Sequence, residues 1–339
     1  MEKNVLKTDS RSMNGHEYYV SMAPHIRSND SVTKIMRDVI IALIPAMIGA
    51  IYYFGYRAAI LMAVSIVTCV GTEYLYQKLT HRPIRIGDLS SLVTGILIAF
   101  NVPASMPWWM VALGGIFAIL VVKECFGGIG FNFMNPALAA RIVMMASWAQ
   151  NMTYYVTPEE MKNWSSTLEY TASAATDAVT TATPLQMIAA GNFQNLPPLK
   201  DMALGNIGGV LGETSAILLL IGFIYLVVRK VVTIEIPVVY IAVTAIFLVI
   251  LGVPVNIIPY EILGGGLILG ACFMATDYAT NPINKKGKII FAIGCGIITA
   301  VIRTKASLPE GVSYAICLMN VATPLIDKLT RTSAYGEAK

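Results

Sequence analysis

The stretch IMRDVIIALIPAMIGAIYYF, residues 35–54, carries its only charges, Arg37 and Asp38, close to its start. At 1.5 Å of rise per residue, a helix of this length covers ~30 Å, the thickness of a bilayer's hydrocarbon core. Similar apolar stretches follow at 58–79, 89–101, 107–124 and 135–149. After a polar interval come 211–228, 236–252, 262–276, 288–302 and 312–326. These patterns predict an all-α polytopic membrane protein with about ten transmembrane helices, several of them shorter than the ~20 residues that cross comfortably.

Composition points the same way. Of 339 residues, 56% are hydrophobic and 13% charged, and the mean hydropathy is +0.65. A soluble chain carries roughly 25% charged residues, so the solvent implied here is lipid. The net charge of +4 comes from 24 basic and 20 acidic residues without a basic block, which argues against nucleic-acid binding. The five cysteines, Cys69, Cys125, Cys272, Cys295 and Cys317, have no C-x-x-C spacing, so no metal or iron–sulfur site is expected from this chain alone. His16, His25 and His81 lie outside the apolar segments and cannot pair on a haem within the membrane.

Lysine and arginine are retained on the cytoplasmic side of inserted chains. With ten spans and both termini inside, 18 of the 24 basic residues fall on that side. Arg57, Lys162, Lys200, Arg303 and Lys305 fall outside, and Arg141 lies within a span. The expected plan is a cytoplasmic segment 1–34, a first membrane half 35–149, an outer loop 150–205, a second half 206–328 and a cytoplasmic tail 329–339. Residues 1–20 lack the apolar centre of a secretory signal and are expected to stay in the cytoplasm. Gly95-Ile96-Leu97-Ile98 resembles Gly266-Leu267-Ile268-Leu269, and the run from Phe131 to Asn135 resembles that from Tyr314 to Asn320. Five spans on each side of the outer loop turn the second half over, which predicts two inverted five-helix repeats.

Within the outer loop, residues 170–185 are rich in Ala, Ser and Thr, a composition that also suits a plain linker. Pro184 biases Thr183 toward an extended backbone. The order Asp177-x-x-Thr180-x-Ala182-Thr183 resembles the acceptor motif at which a flavin transferase esterifies FMN through its phosphate to the last threonine. Thr183 supplies a hydroxyl, expected to be exposed, that can attack the pyrophosphate of FAD once the transferase activates it. Ala182 keeps the approach open.

Other residues invite two readings. Asn135-Pro136-Ala137 resembles the turn of a water channel, but its single copy fits better as a helix cap followed by a first-turn proline. Ionisable residues in apolar segments are costly and often functional. Those here are Glu73, Glu124, Arg141, Glu213, Glu261, Asp277 and Arg303. The four glutamates sit near span ends, where each could simply reach water or a neighbouring subunit. Asp277, in a string where the helix is expected to break, is the candidate for an ion pathway. Gly208-Gly209 and Gly264-Gly265-Gly266 are read as places of close helix packing.

With the acceptor motif, four further strings carry a family resemblance: 21–26 (SMAPHI), 130–137 (GFNFMNPA), 212–215 (GETS) and 273–282 (FMATDYATNP). Together they make the chain similar to the D subunits of Rnf complexes, the ion-translocating ferredoxin:NAD oxidoreductases. It also resembles the B subunits of sodium-translocating NADH:quinone oxidoreductases. Those B subunits are longer at the N-terminus and have Ser-Gly-Ala-Thr where this chain has Thr180-Thr181-Ala182-Thr183, so the Rnf type is the better match.

The resemblance implies a multi-pass subunit of the bacterial cytoplasmic (inner) membrane that relays electrons through covalent FMN on Thr183, coupled to export of Na+ or H+. It implies a second, non-covalent flavin such as riboflavin, for which no residues are assigned. Partners would be the other Rnf subunits, including iron–sulfur and NAD-binding ones, and the flavin transferase. No residue is assigned a catalytic role, because this chain has no dinucleotide fingerprint and no cysteine array of its own. Rival readings are a self-contained channel or secondary transporter, and a scaffold without a cofactor.

Overall fold

The computed structural model describes residues 30–163, 182–191, 196–213, 215–306 and 310–331. The chain divides into a short unit, Met1–Ser31, and a main body, Val32–Lys339. Among the described residues the main body has no strand, only an isolated bridge between Pro103 and Val210. Among its helices are α1 (Val32–Phe54), α2 (Tyr56–Leu79), α3 (Ser90–Phe100), α4 (Trp108–Phe117) and α5 (Pro136–Ser147), with a short α6 (Pro184–Ala189). Then come α7 (Ala216–Val228), α8 (Glu235–Ile250), α9 (Val255–Leu263), α10 (Leu267–Met274), α11 (Lys285–Lys305) and α12 (Val312–Leu329). A π-helical turn, Ala118–Glu124, extends α4. This is an all-α polytopic membrane protein.

Among the described residues three helices, α1, α2 and α11, are long and apolar enough to cross a bilayer unaided, and α9 and α10 are apolar enough only when taken together, with a bend of 62° between them. Helices α3, α5, α7 and α8 are apolar but shorter. Short helices are tolerated at membrane depth only where protein rather than lipid surrounds their ends. Every residue of α3 except Leu92 is buried. In α1, by contrast, Ile41, Ile44, Ile48 and Ile51 form an exposed apolar stripe, while Ala42, Leu43, Ala46 and Ala50 face inward. Small inward residues let backbones approach closely. On α7, a Cβ added at Gly222 would lie 2.0 Å from the carbonyl oxygen of Ala42, so only glycine permits that crossing. Helix α1 lies on α7, α5 on α12, α2 on α3 and α4, and α8 on α11.

Two expected spans differ in detail. The stretch 211–228 opens with a 3-10 turn at Leu211–Glu213, and its helix starts only at Ala216. The stretch 262–276 contains a break at Gly264, Gly265 and Gly266, the last two with φ of 65° and 64°, a left-handed conformation that glycine adopts at little cost.

The glutamates expected to reach water or a neighbouring subunit are buried within the chain itself. Glu73 and Glu124 are 1% and 2% exposed, and Glu213 and Glu261 are buried as well. Lys123, counted on the cytoplasmic side, is buried too, with its Nζ 2.8 Å from Glu73 Oε1 and 2.7 Å from Ser90 Oγ. The extra residue in the π turn changes the facing of this segment, and Lys123 meets α2 and α3 instead of solvent. Arg303, counted outside, is buried against Glu261 at 3.0 Å.

Candidate functional site

Thr183 has φ −63° and ψ 155°, the extended geometry that the following proline favours, and it caps α6. Its Oγ1 accepts a hydrogen bond from Gln186 N (3.2 Å), while its own N–H donates to Gln186 Oε1 (3.0 Å). Two otherwise orphaned backbone donors are thereby satisfied reciprocally, and Pro184 occupies the first helical position, where no N–H is needed.

The hydroxyl is not exposed as the composition of the loop suggested. Thr183 is 6% exposed, and Leu185 is buried beside it. The cause is a docking contact: a Cβ added at Gly265 would lie 2.3 Å from Leu185 Cδ1, so the bare glycine backbone is the floor on which Leu185 rests. Ala182 is exposed. Asp177 and Thr180 lie outside the described residues.

One face of α6 presents Gln186, Ala189 and Ala190, spaced i, i+3 and i+4, to a cavity of about 530 Å³. Arg141, Ile142 and Met145 of α5, Tyr155, and Glu310, Ser313 and Tyr314 at the head of α12 complete much of its wall. Thr183 stands one turn ahead of Gln186, so the capped hydroxyl and the cavity belong to one neighbourhood.

The guanidinium in the cavity wall is held in place by buried partners, one of them a carboxylate of the same wall. Buried Arg141 donates through Nη1 to Asn101 O (2.9 Å) and Asn101 Oδ1 (3.0 Å), and its Nη2 pairs with Glu310. Glu310 Oε1 also accepts from the Tyr155 hydroxyl at 3.0 Å. Burial holds the Tyr155 phenol well above its ordinary pKa, which keeps it a proton-bearing donor. Asn135 caps α5 as its sequence suggested: Oδ1 accepts from Ala137 N (3.0 Å) and Leu138 N (3.4 Å), with Pro136 next in line.

A second buried pair lies under the docking glycines. Arg303 contacts Glu261 and donates through Nη2 to Gly264 O and Gly265 O, both at 3.2 Å. It therefore braces from below the strap on which Leu185 sits. Asp277, the ion-pathway candidate, is half-buried. Its carboxylate accepts from Ala279 N (3.4 Å) and Thr280 Oγ1 (3.3 Å), and it borders a separate cavity of about 80 Å³. The structure does not bring it to Thr183.

Asn101, Tyr155 and Glu310 had no sequence signal, because their role depends on contacts between distant segments. Gln186 did have one, since Thr-x-x-Gln is the spacing of a capping box.

The family model for NQR2, RnfD and RnfE matches residues 19–336. The chain belongs to this family. The D subunit of the Na+-translocating ferredoxin:NAD+ oxidoreductase complex of Acetobacterium woodii is 46% identical over 331 residues, 96% of this chain and 98% of the relative. Its counterpart in the proton-translocating ferredoxin:NAD+ oxidoreductase complex of Clostridium ljungdahlii is 39% identical, over 94% of this chain and 96% of the relative. The D subunit of the ion-translocating oxidoreductase complex of Halorhodospira halophila is 34% identical, over 93% and 95%. For this member of the NQR2, RnfD, RnfE family, the match covers both membrane halves and the residues between them.

Proposed function

We propose that this chain is the D subunit of an Rnf-type, ion-translocating ferredoxin:NAD oxidoreductase complex of the bacterial cytoplasmic membrane, and that it relays electrons through FMN esterified to Thr183. Partners of that complex supply the ferredoxin and NAD chemistry, and the electron flow drives Na+ or H+ outward. The observation that carries the reading is the placement of Thr183 one helical turn from a 530 Å³ cavity with a fixed guanidinium in its wall.

The cavity suits a flat, partly polar ring system. Ile142, Met145 and Tyr314 offer apolar surface, while Arg141, Gln186, Tyr155 and Ser313 offer polar groups. When bound, FMN supplies one- and two-electron redox chemistry, and the protein supplies position and electrostatics. Arg141 contributes a positive charge that cannot be deprotonated, and Asn101 and Glu310 fix its direction. Gln186 ties the acceptor threonine to the cavity wall. An ester through phosphate leaves the ring system unattached and keeps the cofactor from diffusing away.

The test is in-gel fluorescence. The chain produced together with its flavin transferase, denatured and run on a gel, is expected to fluoresce under ultraviolet light, and Thr183→Ala to abolish the band while membrane insertion persists. A persistent band in Thr183→Ala moves the ester to Thr176, Thr180 or Thr181. A dark wild-type band without bound flavin returns the chain to the channel or transporter reading.

A further inference from the structure

We infer that the flavin transferase acts on an undocked form of residues 182–190, so that closure of this segment on Gly264 and Gly265 follows esterification. This rests on the ester reading above and adds the order of events. The capped Thr183 is 6% exposed, its Oγ1 is engaged by Gln186 N at 3.2 Å, and the next two residues, Pro184 and Leu185, are buried. A second enzyme must bring FAD to that oxygen in line with the pyrophosphate, and a residue 6% exposed, with its oxygen engaged, gives a second protein no approach.

The chemistry sets the requirement. The bond from Thr183 Oγ1 to the FMN phosphorus forms, the phosphoanhydride bond of FAD breaks, AMP leaves, and the hydroxyl proton passes to a base of the transferase. All of this needs the oxygen free on its outer side. Undocking is local. The segment is held by Leu185 on bare glycine backbone and by the Thr183–Gln186 box, and a six-residue helix has little stability without those contacts. Redocking after modification is chemically permitted, because the box uses Oγ1 only as an acceptor and needs no proton from it. Closure then carries the modified residue back to the edge of the cavity.

The test uses the full chain produced without transferase and purified folded, then exposed to transferase, FAD and Mg2+, with in-gel fluorescence followed over time. Hydrogen exchange of the peptide 183–190 reports opening independently. Wild type is expected to show protection at Gln186 N and slow labelling. Leu185→Ala, which removes the anchor, is expected to lose that protection and label roughly tenfold faster or more. Gln186→Ala, which removes one side of the box and leaves the anchor, is expected to label a fewfold faster (~2- to 5-fold).

Equal labelling rates for wild type and Leu185→Ala, with protection lost in the variant, overturn the inference. So does a wild type without protection at Gln186. A chain that stays dark even when made together with its transferase overturns the ester itself, a different result from fast labelling of a closed segment.

Discussion

The protein buries ion pairs near both ends of α3 and uses different cations to do it. At the cavity end, Arg141 spreads its donors over Asn101 O, Asn101 Oδ1 and Glu310, and Arg303 spreads its own over Glu261, Gly264 O and Gly265 O. At the opposite end of α3, Lys123 meets Glu73 Oε1 and Ser90 Oγ. Glu73 Oε2 has no partner among the described residues. A guanidinium is planar and presents a rigid fork of donors, whereas an ammonium is a compact point charge on a flexible stem. The arginine clusters thus fix directions: one orients the cavity's charge, the other braces the glycine strap. The lysine cluster neutralises a carboxylate without fixing a direction, and none of the residues lining the 530 Å³ cavity takes part in it.

This contrast breaks most visibly at Arg141. Arg141→Ala leaves Glu310 buried with Tyr155 as its one donor among the described residues, a loss expected to cost about 3–5 kcal/mol, read as an early midpoint in an SDS unfolding titration. Arg141→Lys is expected to recover little of it, since one ammonium cannot serve Asn101 and Glu310 in the same geometry. Recovery of most of the stability by lysine would erase the distinction between the two ends.

The lysine cluster gives the sharper comparison. Lys123→Met alone strands Glu73 and is expected to cost about 3 kcal/mol. The double variant Lys123→Met with Glu73→Leu removes both charges and is expected to unfold within about 1 kcal/mol of wild type, as apolar replacements of buried pairs often do. A double variant as unstable as the single one would show that this cluster, too, has a directional role, with Ser90 or Gln77 as the group left unsatisfied.

Much of this architecture is legible in the sequence, because it follows from local rules. The apolar runs place the helices, Asn135-Pro136 announces a cap and a first turn, and Pro184 sets the backbone of Thr183. The charge pairings are not legible, because Arg141 and Glu310 come from opposite halves of the chain and only packing brings them together. Hydropathy places Lys123 and Glu73 at helix ends and therefore in water. It has no means of seeing α3 lie across them. The burial of Thr183 escapes for the same reason: Ala, Ser and Thr read as solvent-loving, yet one leucine two residues on, meeting a bare glycine backbone far along the chain, is enough to close the segment.

The smallest effect tests whether the two ends are mechanically joined through α5, which carries Arg141 near its middle and Asn135 at its start. Asn135 does two jobs: its Oδ1 caps the helix, and its Nδ2 donates to Met274 O at 3.4 Å, at the end of α10. Asn135→Ala removes both and is expected to cost about 1 kcal/mol for the cap, plus a few tenths for so long a bond. Asn135→Ser keeps a capping acceptor and removes the amide donor without adding charge, so it isolates the link to α10. If α5 moves as one body, Asn135→Ser should also speed hydrogen exchange at Tyr155 and Gln186, across the cavity from the change. Faster exchange confined to 134–139 would instead mean that α5 is anchored independently at each end, with Arg141 alone holding the cavity wall.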